Sequence, residues 1–555
     1  MRRERGFTAW FVAVAILICL FGQLGAIGLT GPDEPRYAWI ARAMAKMGDW
    51  VTPRLYGQAW FEKPILYYWT AAIGFKLHVS AEWAARLPSA FSALAAAIAI
   101  GWLAARHYGS TATSLDSPKL LAPLVFASSV AGIGFSRAAT PDMLFAASIT
   151  LAMAAISAVY RHSGALRGLA SAAAENPHDD AHNFRAFALF GAFLGLGVLA
   201  KGPAAIILAG GAILLWALAT RQWREALRAL HPVTIAAFCV VALPWYILCA
   251  LRNPDFLRVF IWQHNFERYL TPMFHHPQPF WFFGPIVLLA LVPWTILLWP
   301  AFCEGLRLWR ERSWTHSPGL FFACWAIFPV LFFSFSDSKL PSYILPSIPP
   351  LALICAVAGI RAFHRSRAMA LGIAAGFGIA WIGLAVGAWA WAQKIPWDAL
   401  NYNYAPHSVP VWTWIAIAAA IFLTLVLGFF GFRKRMGAVM GLCALAVVLA
   451  LEFANIRILP TIDPLYSARY HAHFMSHDLH PDRIFTFDLA RSWNYGLAFY
   501  FQRELPEWRP NDPRPALVLT NPAGFRQITK LGRFQGVLDE PQKGVLYVPV
   551  GPAPQ

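Results

Sequence analysis

The chain has 555 residues, of which 58% are hydrophobic, 15% aromatic and only 13% charged, and its mean hydropathy is +0.50. Soluble domains carry roughly 25% charged residues, so an ordinary soluble fold, a disordered chain and a small disulfide scaffold are excluded and a polytopic α-helical membrane protein is indicated. The excess of 45 Lys+Arg over 28 Asp+Glu, a net +17, would suggest nucleic acid in a soluble protein, whereas in a membrane protein basic loops report topology.

Apolar runs of spanning length lie at 7–29, 86–105, 120–136, 142–160, 186–200, 202–219, 232–250, 280–300, 318–336, 343–360, 368–390, 411–432 and 436–454, which makes about thirteen spans. The first follows Arg2, Arg3 and Arg5 and lacks a small-residue cleavage site, so it reads as a retained anchor. With the N-terminus inside, every alternate loop is basic, and this side collects 20 Lys+Arg against 8 Asp+Glu, or +12 of the +17. The positive-inside rule therefore puts the N-terminus in the cytoplasm and, after an odd number of spans, the tail on the opposite face. The seven cysteines all sit in or beside apolar runs, as packing residues rather than a disulfide framework.

Three regions are not spans. The first external loop, 30–85, holds two segments of helical character at 37–47 and 64–77, rich in Trp and Tyr, and these are expected to lie on the membrane surface. The loop at 251–279 is aromatic and basic. The tail alternates β-rich runs at 483–487, 516–520 and 544–550 with turns and a helical stretch at 493–503, the pattern of a small α/β domain. The expected division is a transmembrane catalytic domain over 1–456 and an α/β domain over 457–555.

Six polar motifs then fall on one face. Asp33-Glu34-Pro35-Arg36-Tyr37 follows the first span. Its carboxylates suit a base or an acceptor-orienting group, although Asp33 also suits a helix N-cap. Trp60-Phe61-Glu62-Lys63 offers a lysine to an anionic lipid head group. Asp142 opens a span, with Arg137 near enough in sequence to pair with it; a carboxylate at a span mouth usually faces a cavity. Lys201 sits in a tight Lys-Gly-Pro turn. His264, Glu267 and Arg268 share a helical stretch, and the planar fork of Arg268 suits phosphate. Glu62 and His264 are a candidate pair for a structural divalent metal such as zinc, although the dense ligand spacing of a zinc site is absent and no cofactor is required. Lys339 and Tyr343 stand where Pro341 and Pro346 interrupt a helix, and interrupted helices at membrane depth line cavities. Together these motifs indicate a single polar cavity for a phosphate-bearing lipid partner.

Asp33-Glu34-Pro35-Arg36-Tyr37-Ala38, Phe61-Glu62-Lys63-Pro64, Lys201-Gly202-Pro203 and Lys339-Leu340-Pro341-Ser342-Tyr343 resemble the lipid A aminoarabinosyl transferases, polyprenol-phosphate-dependent GT-C glycosyltransferases related to the protein O-mannosyltransferases. The resemblance runs through nearly all the membrane part. It implies transfer of 4-amino-4-deoxy-L-arabinose from undecaprenyl phosphate to lipid A phosphates at the periplasmic face of the inner membrane, which confers resistance to polymyxin. It also implies that Asp33 is the essential carboxylate, with Glu34 and Asp142 beside it. Lys63 would hold the carrier phosphate, helped by Arg268, and Arg36, Tyr37, Lys201, Lys339 and Tyr343 would bind substrate. Pro35 and Ser342 stand where the family usually has Thr. Two alternatives stay open: another GT-C transferase with a different sugar or acceptor, and a lipid-linked sugar transporter.

Overall fold

In the computed structural model of the chain, the structure describes residues 2–109, 114–162, 165–166, 180–267, 278–315, 317–397, 400, 410–478, 484–509, 511, 515–532 and 545–551. Among these residues, eight helices are long and apolar enough to cross a membrane, two apolar helix pairs are bent by 60° and 110°, and three shorter apolar helices complete the set. Each of the thirteen runs read from the sequence falls on one of these elements.

The helices sort by what they bury. The Asp142–Arg161 helix is almost wholly enclosed, whereas Val411–Phe432 turns Ile415, Phe422 and Leu425 outward, as an apolar surface facing lipid would. Small residues permit close packing: a Cβ on Gly191 would stand 2.1 Å from the backbone oxygen of Thr234 on the neighbouring helix. The two bent pairs support each other at their breaks. Val130 N–H donates to Val292 O at 3.0 Å, Trp294 Nε1 donates to Ser128 Oγ at 3.0 Å, and the Ser129 hydroxyl caps Gly132 N–H at 3.0 Å. Backbone freed from helical bonding inside the bundle is thus re-satisfied by protein groups.

The first apolar run is shorter than its sequence suggests. Its helix, Arg2–Phe21, stops eight residues early, and residues 24–30 form an irregular strap. Two shorter helices follow, Asp33–Met47 and Leu66–Lys76, with a short hairpin of β1 (Arg54–Leu55) and β2 (Gln58–Ala59) between them.

In the tail, β3 (Ile484–Phe487), β4 (Ala516–Thr520) and β5 (Leu546–Val550) form one sheet in the order β3-β4-β5. β3 and β4 are parallel and β5 is antiparallel to β4, with Ile484 opposite Leu517 and Leu517 opposite Pro549. Parallel pairing demands a crossover, and the Arg491–Phe501 helix lies within it. Alternate residues serve opposite faces: Leu517, Leu519 and Tyr547 pack with Leu497 of that helix, while Val518, Leu546 and Val548 pack with Ile528.

Candidate active site

The strap carries the site. With no ladder of its own, its backbone is satisfied by charged and polar side chains. Arg86, from the Ala81–Tyr108 helix, donates to the carbonyls of Leu24 (2.6 Å), Ile27 (2.7 Å) and Gly28 (2.8 Å). From the tail side, Arg469 donates to Gly25 O at 2.8 Å, Asp463 accepts from Gly28 N–H at 2.7 Å and the Tyr500 hydroxyl accepts from Leu29 N–H at 2.8 Å. Gly31, at φ +64°, then makes a turn that a side chain would disfavour, and Asp33 opens the Asp33–Met47 helix.

Glu34 is enclosed in the same structure. One of its oxygens accepts from Thr30 N–H and Arg86 Nη2, both at 2.8 Å; the other accepts from Ala139 N–H at 2.7 Å. Burial would raise its carboxyl, but the charge and hydrogen bonds of Arg86, with the two backbone N–H groups, overcome this and hold it below the usual range. Both oxygens of Glu34, a catalytic candidate in the sequence, are thus engaged by Arg86 and backbone N–H groups, which ties this residue to the strap.

Asp33 is not an N-cap. Pro32 occupies that place without a side-chain bond, and Asp33 is the first helical residue. Its carboxylate meets Arg36 Nη2 at 2.5 Å while its side chain remains 54% exposed. The surrounding protein displaces water and raises the Asp33 carboxyl above its ordinary value; Arg36 opposes the shift and Glu62 adds to it. Arg36 also reaches Glu62 through Nη1 at 3.0 Å and Tyr37 Oη at 3.4 Å. Lys63 stands 3.6 Å from Glu62. Beyond them, Asp142 pairs with Lys201, whose ammonium lies 5.2 Å from the centre of the Tyr343 ring. Lys63 and Asp142 both act electrostatically on Asp33. The result is one mixed cluster of Asp33, Arg36, Tyr37, Glu62, Lys63, Asp142, Lys201 and Tyr343, drawn from the first loop and three helical segments far apart in sequence.

A cavity of about 370 Å³ opens on another side of Asp33, lined by Thr30, Glu34, Arg86, Arg137 and Thr140 among others. Lys63, Lys201 and Tyr343 are not in its wall. This cavity and the charged cluster meet at Asp33.

Arg137 does not serve Asp142; it donates to Gly22 O and Asn455 Oδ1 and ties the strap's start to the last span. Lys339 is 6% exposed and donates to Gln278 O at 2.9 Å and Ser336 O at 2.5 Å, joining two loop segments. Glu62 faces two cations, Arg36 and Lys63. The His264 side chain and Arg268 lie outside the described residues. Sequence reasoning missed Arg86, Asp463, Arg469, Tyr495 and Tyr500. Only Arg86 left a signal, as a charge at the edge of an apolar run.

The sequence profile of dolichyl-phosphate-mannose-protein mannosyltransferases matches residues 7–260. An undecaprenyl phosphate-alpha-4-amino-4-deoxy-L-arabinose arabinosyl transferase of Sodalis glossinidius is 32% identical over 433 residues, 76% of this chain and 70% of that protein. The chain belongs to this arabinosyl transferase family. The member from Edwardsiella ictaluri is 32% identical over 349 residues. The chain spans only 58% of that relative and 60% of the one from Erwinia tasmaniensis. The crystal structure of ArnT from Cupriavidus metallidurans bound to undecaprenyl phosphate superposes with a TM-score of 0.73 over 98% of both chains at 24% identity, which establishes that the GT-C fold is shared. As in that family, the chain is a multi-pass membrane protein.

Proposed function

We propose that the protein transfers 4-amino-4-deoxy-L-arabinose from undecaprenyl phosphate to a phosphate of lipid A at the periplasmic face of the inner membrane. The observation that carries this reading is the placement of Lys63 and the Lys201–Asp142 pair beside a partly open Asp33. Family membership supports the donor, and the basic alternate loops support the orientation.

The reaction breaks the bond between the anomeric carbon and the carrier's phosphate oxygen and forms one from that carbon to an acceptor phosphate oxygen. The carrier phosphate changes from diester to monoester and gains about one negative charge near neutrality, while the acceptor loses one. Cations at the leaving oxygen stabilise that growing charge, and Lys63 and Lys201 are suited to the task. The acceptor is already ionised, so no proton need be removed. Asp33 then orients the sugar and acceptor, and the cavity bearing Arg137 gives an anionic acceptor a route to it. Arg36 holds the Asp33 carboxylate in place. No step calls on a metal.

The test is mass spectrometry of lipid A from cells with and without the gene, joined to transfer in detergent from synthetic undecaprenyl-phosphate aminoarabinose. A pentosamine added to a lipid A phosphate only when the protein is present is expected. Unmodified lipid A, or transfer of a different sugar to a glycan or protein, would overturn the reading.

A further inference from the structure

The tail reaches into the site through one helix. Arg491–Phe501 runs alongside the Asp33–Met47 helix in parallel, and three contacts mark the pairing. Arg36 faces the Tyr495 ring at 5.6 Å, Arg42 faces the Phe499 ring at 4.0 Å, and Lys46 Nζ donates to Gln502 Oε1 at 2.9 Å. Arg42 also donates to Phe499 O at 2.6 Å. Tyr495 and Phe499 lie one turn apart on the same face, so docking at Phe499 delivers Tyr495 to Arg36.

Arg36 is the residue in the cluster whose orientation matters most, because its two terminal nitrogens grip Asp33 and Glu62. Its Nε is buried without a hydrogen-bond partner, so no polar group fixes that edge of the guanidinium. Rings surround the group instead: Tyr37 at 5.1 Å, Trp60 at 5.7 Å and Tyr495 at 5.6 Å. Tyr37 and Trp60 come from the loop that carries Arg36; Tyr495 alone comes from the tail, and it stacks on Tyr56 of the β1–β2 hairpin at 6.4 Å. Ring faces add to the hold of the two ion pairs on the plane of the guanidinium, on the edge where Nε has no partner.

We infer that Tyr495 is a positioning residue of the active site: its ring closes an aromatic collar around Arg36, and through Arg36 it sets the direction of the Asp33 carboxylate, so the tail helix is a working part of the catalytic apparatus. The inference rests on the transfer reading for its kinetic consequence, and the collar itself stands on geometry. Removing the ring leaves the Arg42 and Lys46 contacts in place, so the helix remains docked.

The experiment compares Tyr495→Ala and Tyr495→Phe with the wild-type chain in detergent, by two readouts. The first is labelling of Arg36 by phenylglyoxal, followed by mass spectrometry. Arg36 is expected to label about fivefold faster in Tyr495→Ala and at the wild-type rate in Tyr495→Phe, since the ring and not the hydroxyl does the holding. The second is transfer from undecaprenyl-phosphate aminoarabinose: kcat falls about tenfold in Tyr495→Ala, KM for the carrier-linked sugar stays within about twofold, and Tyr495→Phe restores the rate. Labelling of Tyr495→Ala at the wild-type rate, or equal losses in the Ala and Phe variants, overturns the inference. If the wild-type chain itself transfers no aminoarabinose, the transfer reading fails and the Arg36 labelling still decides the collar.

Discussion

Arg86 Nη2 meets Glu34 Oε2 at 2.8 Å, and both side chains are more than nine-tenths buried. Between them these two residues bind the strap at Leu24, Ile27, Gly28 and Thr30, and Glu34 also holds Ala139 at the approach to the Asp142 helix. The pair is thus the joint at which the first loop, the Ala81–Tyr108 helix and the Asp142 helix are fixed relative to one another, directly behind Asp33.

Glu34→Gln leaves the Arg86 charge buried without its counter-ion, and the expected cost is about 3–5 kcal/mol. The pH dependence follows from the lowered carboxyl of Glu34. A carboxyl depressed in the folded state contributes stability that is present above its ordinary unfolded value and is lost as pH falls through the folded one. Thermal unfolding in detergent from neutral to acid pH should therefore show the wild type losing its advantage over Glu34→Gln at the acid end. A variant as stable as the wild type at neutral pH would remove Glu34 from this structural role.

Asp33 has the opposite sign. Burial raises its carboxyl, so the folded state binds a proton there more readily than the unfolded state, and this term grows less favourable as pH rises through the carboxylate range. Asp33→Asn should accordingly keep the wild-type melting temperature at neutral pH, or slightly exceed it. Transfer should fall by about 100-fold or more if the carboxylate acts on the reacting groups. Full transfer in a well-folded Asp33→Asn protein would refute the role proposed for it.

The sequence offers Lys63 as a ligand for the carrier phosphate and Lys339 as a substrate-binding residue, and the two have different partners in the structure. Lys63 lies in the cluster beside Glu62, whereas Lys339 is spent on two backbone carbonyls. Lys63→Gln should lower kcat/KM for the carrier-linked sugar by about 100-fold, the scale of losing one charge-stabilising donor. Lys339→Gln should cost about 1–3 kcal/mol of stability through unsatisfied carbonyls while transfer per folded molecule stays close to wild type. Steady-state kinetics with melting curves on both variants would show whether the two lysines divide in this way.

The contrast shows what was legible in the sequence. Apolar runs located the eight long helices, the two bent pairs and the three shorter apolar helices, because length and hydropathy are local properties, and short β-rich runs between turn residues located the three tail strands among the described residues. Asp33, Arg36, Lys63, Asp142, Lys201 and Tyr343 were legible as charges and a ring at span mouths, where water leaves few other uses for them. The partners were not legible. Asp142 took Lys201 across a helix pair instead of nearby Arg137, and Glu34 turned inward to Arg86 although it adjoins Asp33. Pairings over such separations are set by how helices pack, which hydropathy does not encode. The tail's contribution was hidden for the same reason, since Asp463, Arg469 and Tyr500 look like ordinary surface polar residues until they meet the strap.

Gly28 offers a direct test of that tail contact. A Cβ at this position would stand 2.0 Å from Ser467 Oγ and 2.7 Å from Tyr500 Oη, closer than real carbon contacts come, and backbone on both sides is fixed by Arg86, Asp463 and Tyr500. Gly28→Ala must therefore push the tail away from the strap or break those bonds, at an expected cost of about 1–3 kcal/mol. Since the strap leads into Asp33, the tail should become more open to limited proteolysis and transfer should fall together. Ser467→Ala removes the nearest obstructing atom, so adding it to Gly28→Ala should recover part of both losses. A Gly28→Ala protein with wild-type protease resistance and undiminished transfer would mean that the strap tolerates movement and that tail docking does not set the position of Asp33.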